Sequence, residues 1–394
     1  MKTIEPTQKT ATITAKLKLN VSEDIKAPLL ETIAAYTKAC NYVSEIVFES
    51  RQLVQPKLHT MTYETLRADY GMKSQMAQSV MKSVIARYRS ARGNGHEWAL
   101  IKFDRGEYDL VWNRDYSLLR DGTFSLNTVN DGRVKTPFAI KAMEKYFTDE
   151  WEFGTAKLLF KNKKFYLHIP ATTIVKEYSL SECTDVVGVD MGMNFTAVSY
   201  NTKGKVEFHK GRPVKEKRAQ FAQTRKELQM RGTPSSRRRL KKIGQRENRW
   251  MNDVNHVTSK ALVAGTGKNG LIVLEDLGGI RGATEKVRKR DRYLSVSWAF
   301  FDLRQKIEYK AELAGKNVLA VDPKYTSQCC PKCGHTDRYN RDKKRHTFKC
   351  RMCNYQSNDD RTAAMNLHRK GVEHISTVAS QTCSAESGAQ SIAP

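Results

Sequence analysis

Two apolar runs in this sequence end abruptly in an acid. Val186-Val187-Gly188-Val189 runs into Asp190, and Leu271-Ile272-Val273-Leu274 runs into Glu275. A third acidic point, Asn358-Asp359-Asp360, precedes a short helical pattern over 361–368. A carboxylate at the end of a buried strand is costly unless a cation meets it. Taken singly, each acid has an ordinary explanation: Asp190 can open a turn, Glu275 can join a salt bridge, and Asp359 or Asp360 can cap a helix. Taken together they suit two-metal phosphodiester hydrolysis, which needs hard oxygen ligands converging on two Mg²⁺ about 4 Å apart.

The cysteines carry the second chemical signal. Of eight, five fall between 329 and 353, and Cys330-x2-Cys333 and Cys350-x2-Cys353 are separated by sixteen residues. Two such knuckles at this distance predict one tetrahedral Zn²⁺. Gly334 permits the tight knuckle turn. The intervening stretch 335–349 is mainly charged and has little apolar content, so metal must stand in for a core, and zinc binding of about 10–16 kcal/mol suffices. Cys329 competes with Cys330 as ligand, and the spacing favours Cys330. With all four positions filled by thiolate, the metal is structural or guides nucleic acid and is not catalytic. His256 and His346 are assigned no chemical role.

The motifs GVDMGMNFTAVS at 188–199, LIVLEDLGGI at 271–280 and DDRTAAMNL at 359–367 resemble the three RuvC segments of TnpB proteins, the insertion-sequence nucleases related to type V CRISPR effectors. DVNHVTSKALV at 253–263 and the stretch 298–334 are similar to the same family, so the resemblance covers about 180 to 370. It implies that Asp190, Glu275 and Asp360 are the catalytic Mg²⁺ ligands. Asp360 is selected over Asp359 because Ala363, Ala364 and Asn366 complete Asp-x-x-Ala-Ala-x-Asn; Thr362 departs from the family's usual Asn. The TSQ-x-C pattern agrees with Cys330 as a zinc ligand. The implied function is RNA-guided cleavage of double-stranded DNA beside a short recognised motif, with base pairing supplying the remaining specificity. The implied cofactors are two Mg²⁺, one Zn²⁺ and a guide RNA from the element's end. The alternatives are a cleavage-silent RNA-guided regulator, a small type V CRISPR effector, a strand-transfer transposase and a packing protein.

The elements that must position these residues show in the periodicity. Residues 8–20 alternate as a strand, and apolar positions three or four apart predict helices over about 24–50 and 73–92. Strand patterns return from 97 to 173. Between Lys210 and Arg249 stand fifteen Lys/Arg against three Glu, on a broken helical pattern that predicts a basic hairpin over 210–265. Glu247 alone interrupts its apolar stripe. The fold class expected is therefore an α/β RNase H-like (RuvC) core with a zinc-ribbon insertion, plus an N-terminal wedge β-barrel carrying a helical recognition insertion, the whole bilobed. The expected divisions are wedge strands over 1–22 and 96–180, the recognition insertion over 23–95, and the nuclease over 181–328. A zinc module over 329–354, a final nuclease segment over 355–372 and a disordered, Ser/Ala-rich tail over 373–394 follow.

The net charge of +26 and pI near 9.7 call for a polyanionic partner. Candidate nucleic-acid contacts are Arg237, Arg238, Arg239, Lys241, Lys242 and Arg246 on the hairpin, and Lys73, Gln75 and Gln78 by polarity. No apolar run is long enough for a membrane span, and the start lacks a secretory h-region. The expected location is the prokaryotic cytoplasm, at the nucleoid.

Overall fold

The structure, a computed structural model, describes residues 9–276 and 298–389, apart from 131, 141, 142, 177 and 193. The segment 278–297, considered from sequence as a lid over the nuclease, lies outside the described residues. The chain divides into two compact units, Met1–Ile174 and Val175–Pro394.

In the first unit, β1 (Thr10–Leu19) leads into three helices: α1 (Glu23–Ser50), α2 (Gln55–Ala68) and α3 (Ser74–Gly93). Short strands follow: β2 (Glu107–Leu110), β3 (Tyr116–Leu118), β4 (Phe124–Asn127), β5 (Arg133–Thr136), β6 (Phe138–Ala139), β7 (Glu152–Phe153), β8 (Ala156–Lys161) and β9 (Lys164–Ile174). One sheet runs β2-β8-β9-β1-β6 with β7 also on β9, and β3-β4-β5 form another. Ring closure of a barrel is not among these pairings. Helix α2 has no counterpart in the sequence reading. Its apolar face, Leu58 and Leu66, is broken by Thr62, which is buried by donating its hydroxyl to Leu58 O at 2.8 Å.

The second unit is built on five strands: β10 (Asp185–Asp190), β11 (Phe195–Asn201), β12 (Val206–Lys210), β13 (Gly270–Glu275) and β14 (Asn317–Val321). Their order is β12-β11-β10-β13-β14. The pairs β12/β11 and β11/β10 are antiparallel, whereas β10/β13 and β13/β14 are parallel. Parallel strands are covered on both faces, which is why the two acid-tipped runs are continuously apolar rather than alternating. Val187, Val189, Ile272 and Leu274 pack towards α6 (Arg246–Gly265) and α7 (Trp298–Leu313). Val186, Leu271 and Val273 face Leu367 and Ile375 of α8 (Asp359–Ala389). Where a disordered tail over 373–394 was expected, this helix continues past 373 to Ala389, and 390–394 lie outside the described residues. Ile375 extends the buried face, and no proline interrupts the stretch.

Two glycines let α8 lie against the sheet. A Cβ on Gly188 would overlap Ala364 O and His368 N, which are backbone atoms of α8. One on Gly371 would fall 2.5 Å from Val273 Cγ2 and 2.7 Å from Val186 Cγ1. Gly188 lies two residues before Asp190, and Ala364 one helical turn after Asp360, so this close approach sets the distance between two of the acids. Gly188→Ala is expected to destabilise the protein by about 1–3 kcal/mol, because backbone cannot rotate out of the way. At about 2–4 °C per kcal/mol for a unit of this size, the melting temperature should fall by several degrees. An unchanged melt would show that α8 is not docked this closely.

The basic segment forms α4 (Arg212–Arg231), α5 (Pro234–Ile243) and α6. Gly232, at φ 62°, and Thr233, whose hydroxyl accepts Ser236 N–H at 3.2 Å, make the break between α4 and α5. Glu247 is no flaw in the apolar stripe. It is buried and accepts Arg218 Nε at 3.3 Å and pairs with Arg225, pinning α6 to α4.

Candidate active site and candidate metal centre

Asp190 and Glu275 terminate neighbouring parallel strands, one residue beyond the Val189–Leu274 register pair. Their carboxylates therefore leave the sheet side by side. Asp360 stands in the first turn of α8, near enough for its charge to act on Asp190. Burial drives the Asp190 carboxyl well above the usual range, and the Glu275 and Asp360 charges push it further, with Arg341 opposing. Glu275 is raised by burial against the pull of the Thr326 hydroxyl, Lys370 and Arg341. Asp360 is raised by burial and then by Asp359, with Arg341 and His346 opposing. Burial thus raises all three carboxyls, and for Asp190 the like charges of the other two add to it. Hard oxygen donors of this kind suit Mg²⁺.

The surrounding groups were not evident from sequence. Thr326 Oγ1 donates to Glu275 Oε1 at 2.6 Å. Asn366 Nδ2 donates to Thr326 O at 2.7 Å and Cys329 O at 2.8 Å, which gives the asparagine of the quoted motif a physical task. Arg341 Nε donates to Asp359 Oδ2 at 2.8 Å. The helix cap is Asn358, whose side chain accepts Arg361 N–H at 3.0 Å, so Asp359 is not the cap considered for it. Thr362, the departure from the family pattern, donates to Asn358 O at 3.0 Å. Asp276 turns away and accepts Arg304 Nη1 at 2.8 Å.

Cys330, Cys333, Cys350 and Cys353 converge, with all four sulfurs within 4.8 Å of one another. Cys330 and Cys353 sulfurs are 3.6 Å apart, and Cys333 and Cys350 sulfurs 3.5 Å. Tetrahedral Zn–S bonds of about 2.3 Å put sulfurs about 3.8 Å apart, so the cage has zinc dimensions. Both knuckles turn through a left-handed residue, Gly334 at φ 75° and Asn354 at φ 57°. Strands β15 (Arg341–Asp342), β16 (Thr347–Lys349) and β17 (Gln356–Asn358) complete a zinc-ribbon-like module. Its core is Cys330, Cys350 and Phe348 with Tyr355 against them. Cys329 lies outside the cage, its sulfur accepting Arg369 Nη2 at 3.2 Å.

The hairpin residues Arg237, Arg238, Arg239, Lys241, Lys242 and Arg246 are all exposed. The first-unit candidates are engaged within the fold. Lys73 donates to Asn127 Oδ1 at 2.7 Å, Gln75 accepts Arg114 Nη1 at 2.9 Å, and Gln78 accepts Gln55 Nε2 at 2.7 Å. His256 sits between α6 and α7, 3.4 Å from the Tyr309 hydroxyl, and is held below its usual range by burial and by Lys310 and Lys306.

A family model described as a probable transposase (OrfB_IS605) matches residues 170–278, and the Cas12f1-like TNB domain matches 300–367. A TnpB-like protein of Methanocaldococcus jannaschii is 30% identical over 239 residues, covering 58% of this chain and 83% of that protein. The chain belongs to the TnpB family. Cas12f1, a CRISPR-associated endodeoxyribonuclease of Sulfoacidibacillus thermotolerans, is 30% identical over 254 residues, 59% of this chain. The chain spans 57% of the length of that relative. Among solved structures, a Cas12f1–sgRNA–target DNA complex superposes with a TM-score of 0.61 at 13% identity, over 92% of this chain and 99% of that one. The TnpB chain described here thus shares the fold of Cas12f1. No helix among its described residues is long and apolar enough to cross a membrane.

Proposed function

We propose that this TnpB protein is an RNA-guided DNA endonuclease with a RuvC-like, RNase H-fold core that cuts motif-adjacent double-stranded DNA. The observation that supports the reading is that Asp190 and Glu275 end adjoining parallel strands, the charge of Asp360 acts on Asp190, and each of the three carboxyls is pushed up by burial. Two Mg²⁺ bound there would supply an activated water and charge neutralisation at the leaving oxygen. Asp190 and Glu275 present their carboxylates from rigid parallel strands, which fixes the geometry that in-line attack requires. Thr326 holds Glu275 in one rotamer by its 2.6 Å hydrogen bond. One Zn²⁺ in the four-cysteine cage would fold the module that carries Arg341. The wedge strands and the helical insertion of the first unit would take the guide RNA and read the adjacent motif. An intact acid set favours cleavage over a silent regulator.

The exposed cations of α5 track the phosphate backbone of the guide RNA. Changing Arg237, Arg238 and Arg239 to Gln is expected to weaken RNA binding and to flatten the plot of log affinity against log salt by about two to three units. A slope equal to wild type would place the RNA elsewhere. The cleavage reading itself is tested by incubating the RNA-bound protein with a matching plasmid. Cutting with Mg²⁺ and none with EDTA is expected, and cutting with EDTA would refute the metal site.

A further inference from the structure

Tyr325 stands in the turn between β14 and the first zinc knuckle, at φ 65°. That left-handed backbone suits glycine and asparagine and is costly for a bulky ring. Among the described residues, four of the eight non-glycine residues with positive φ are asparagines, and Tyr325 has the largest side chain of the eight. The turn is clamped on both sides of it. Before it, Lys370 Nζ of α8 donates to Asp322 O at 2.7 Å. After it, Thr326 donates its hydroxyl to Glu275 Oε1 at 2.6 Å, and its carbonyl accepts Asn366 Nδ2 at 2.7 Å. The Tyr325 carbonyl itself accepts Gln328 N–H and Cys329 N–H, both at 3.0 Å. Yet no apolar cluster among the described residues takes in the strained side chain. Its ring is 52% exposed, with the Lys324 ammonium 5.1 Å from the centroid. Strain that packing does not offset collects where a side chain is held ready for a ligand.

We infer that Tyr325 is a substrate-positioning residue whose ring stacks an unpaired base of the DNA strand being cut, beside the acid set. The inference rests on the nuclease reading proposed above. A π face and an ammonium side by side fit one nucleotide, the ring taking its base and Lys324 its phosphate. Tyr325 is one residue from Thr326, the partner of Glu275, so a base stacked there brings its own backbone towards the acids. Stacking needs a base free of its partner, so the platform selects single-stranded DNA and is indifferent to base identity. The clamped turn fixes where the stacked base stops, and with it which phosphate is presented for in-line attack.

The test is single-turnover cleavage of a matching duplex by the RNA-bound protein in saturating Mg²⁺, with single abasic sites walked along the cleaved strand. Tyr325→Gly removes the ring and relieves the backbone, so it should cut about 10-fold more slowly while melting no lower than wild type. Tyr325→Phe should cut like wild type, because the ring is kept. One abasic position should slow wild type about 10-fold and leave Tyr325→Gly no slower than on intact DNA, since ring and base act as a pair. Cutting by Tyr325→Gly at the wild-type rate, Tyr325→Phe as slow as Tyr325→Gly, or abasic losses that add to the Tyr325→Gly loss at every position would overturn the inference. So would a raised Mg²⁺ requirement in Tyr325→Gly, which would mean that the residue acts through Thr326 and Glu275. If Tyr325→Gly melts lower than wild type, Tyr325→Asn, which also tolerates this backbone, takes its place under the same outcomes. A wild type that does not cut, or an Asp190→Asn that does, would instead defeat the nuclease reading. The platform is then read from 2-aminopurine placed along the strand in the bound complex: quenching at one position that Tyr325→Gly relieves supports the stacking, and equal fluorescence in both proteins at every position overturns it.

Discussion

Asp190→Asn is expected to abolish DNA cleavage while making the metal-free protein more stable. The loss should be on the order of 10³-fold or more, corresponding to about 4 kcal/mol of barrier, since the residue would hold the ions that carry charge in the transition state. The gain in stability follows from the sign of the linkage. Asp190, Glu275 and Asp360 all have folded-state values raised above their usual ones. A raised carboxyl contributes stability below its ordinary range, and that contribution is lost as pH climbs through the raised value. At pH 8 the metal-free site therefore holds charges it resists, and Mg²⁺ relieves them. Differential scanning across pH should show Mg²⁺ raising the wild-type melting temperature more at pH 8 than at pH 5.5. Asp190→Asn should raise the metal-free value at pH 8 and shrink the Mg²⁺ effect. A variant that melts lower than wild type, with Mg²⁺ dependence intact, would mean that the acid is a structural partner and not a ligand.

Cys350→Ser should have the second largest effect, confined at first to one module. Apart from two of the cysteines, the core of the module is Phe348 with Tyr355 beside it, far too little apolar surface to hold a fold. Zinc binding of about 10–16 kcal/mol supplies what the core lacks. The variant should carry well under one zinc per chain and lose amide protection across β15, β16 and β17, while β10 and β13 stay protected. Cleavage should fall with it, because Arg341 belongs to this module. Cys329→Ser should keep one zinc per chain, since that sulfur faces Arg369 and not the cage. Zinc loss in Cys329→Ser with retention in Cys350→Ser would reverse the ligand assignment.

How much of this was legible in the sequence depends on how local the signal is. Asp190 and Glu275 stand out because a strand covered on both faces needs an unbroken apolar run, and an acid ending such a run is conspicuous. The four cysteines are legible because a knuckle is a four-residue object with its own spacing. Asp360 came from resemblance: nothing local separates it from Asp359, and only the fold sends one to the acid set and the other to Arg341. That pairing joins residues eighteen apart through a module that must first bind metal, so no periodicity reports it. Glu247 looked like an error in a stripe because its partners, Arg218 and Arg225, lie on another helix. Lys73, Gln75 and Gln78 were chosen for polarity, and each stands half-buried in a hydrogen bond within the first unit. The tail looked too polar to order, yet Ile375 packs against the cluster of Val186, Leu271, Val273 and Leu367 as α8 runs on past it.

The central claim is that RNA directs the cut. The most direct measurement is to purify the protein expressed with its flanking DNA, sequence the RNA that accompanies it, and rebuild the complex with the guide segment of that RNA replaced. One discrete RNA is expected, and the rebuilt complex should cut a plasmid matching the new segment and spare the original target, in Mg²⁺ and not with Asp190→Asn. Heterogeneous RNA, or cleavage that ignores the replaced segment, would contradict the account.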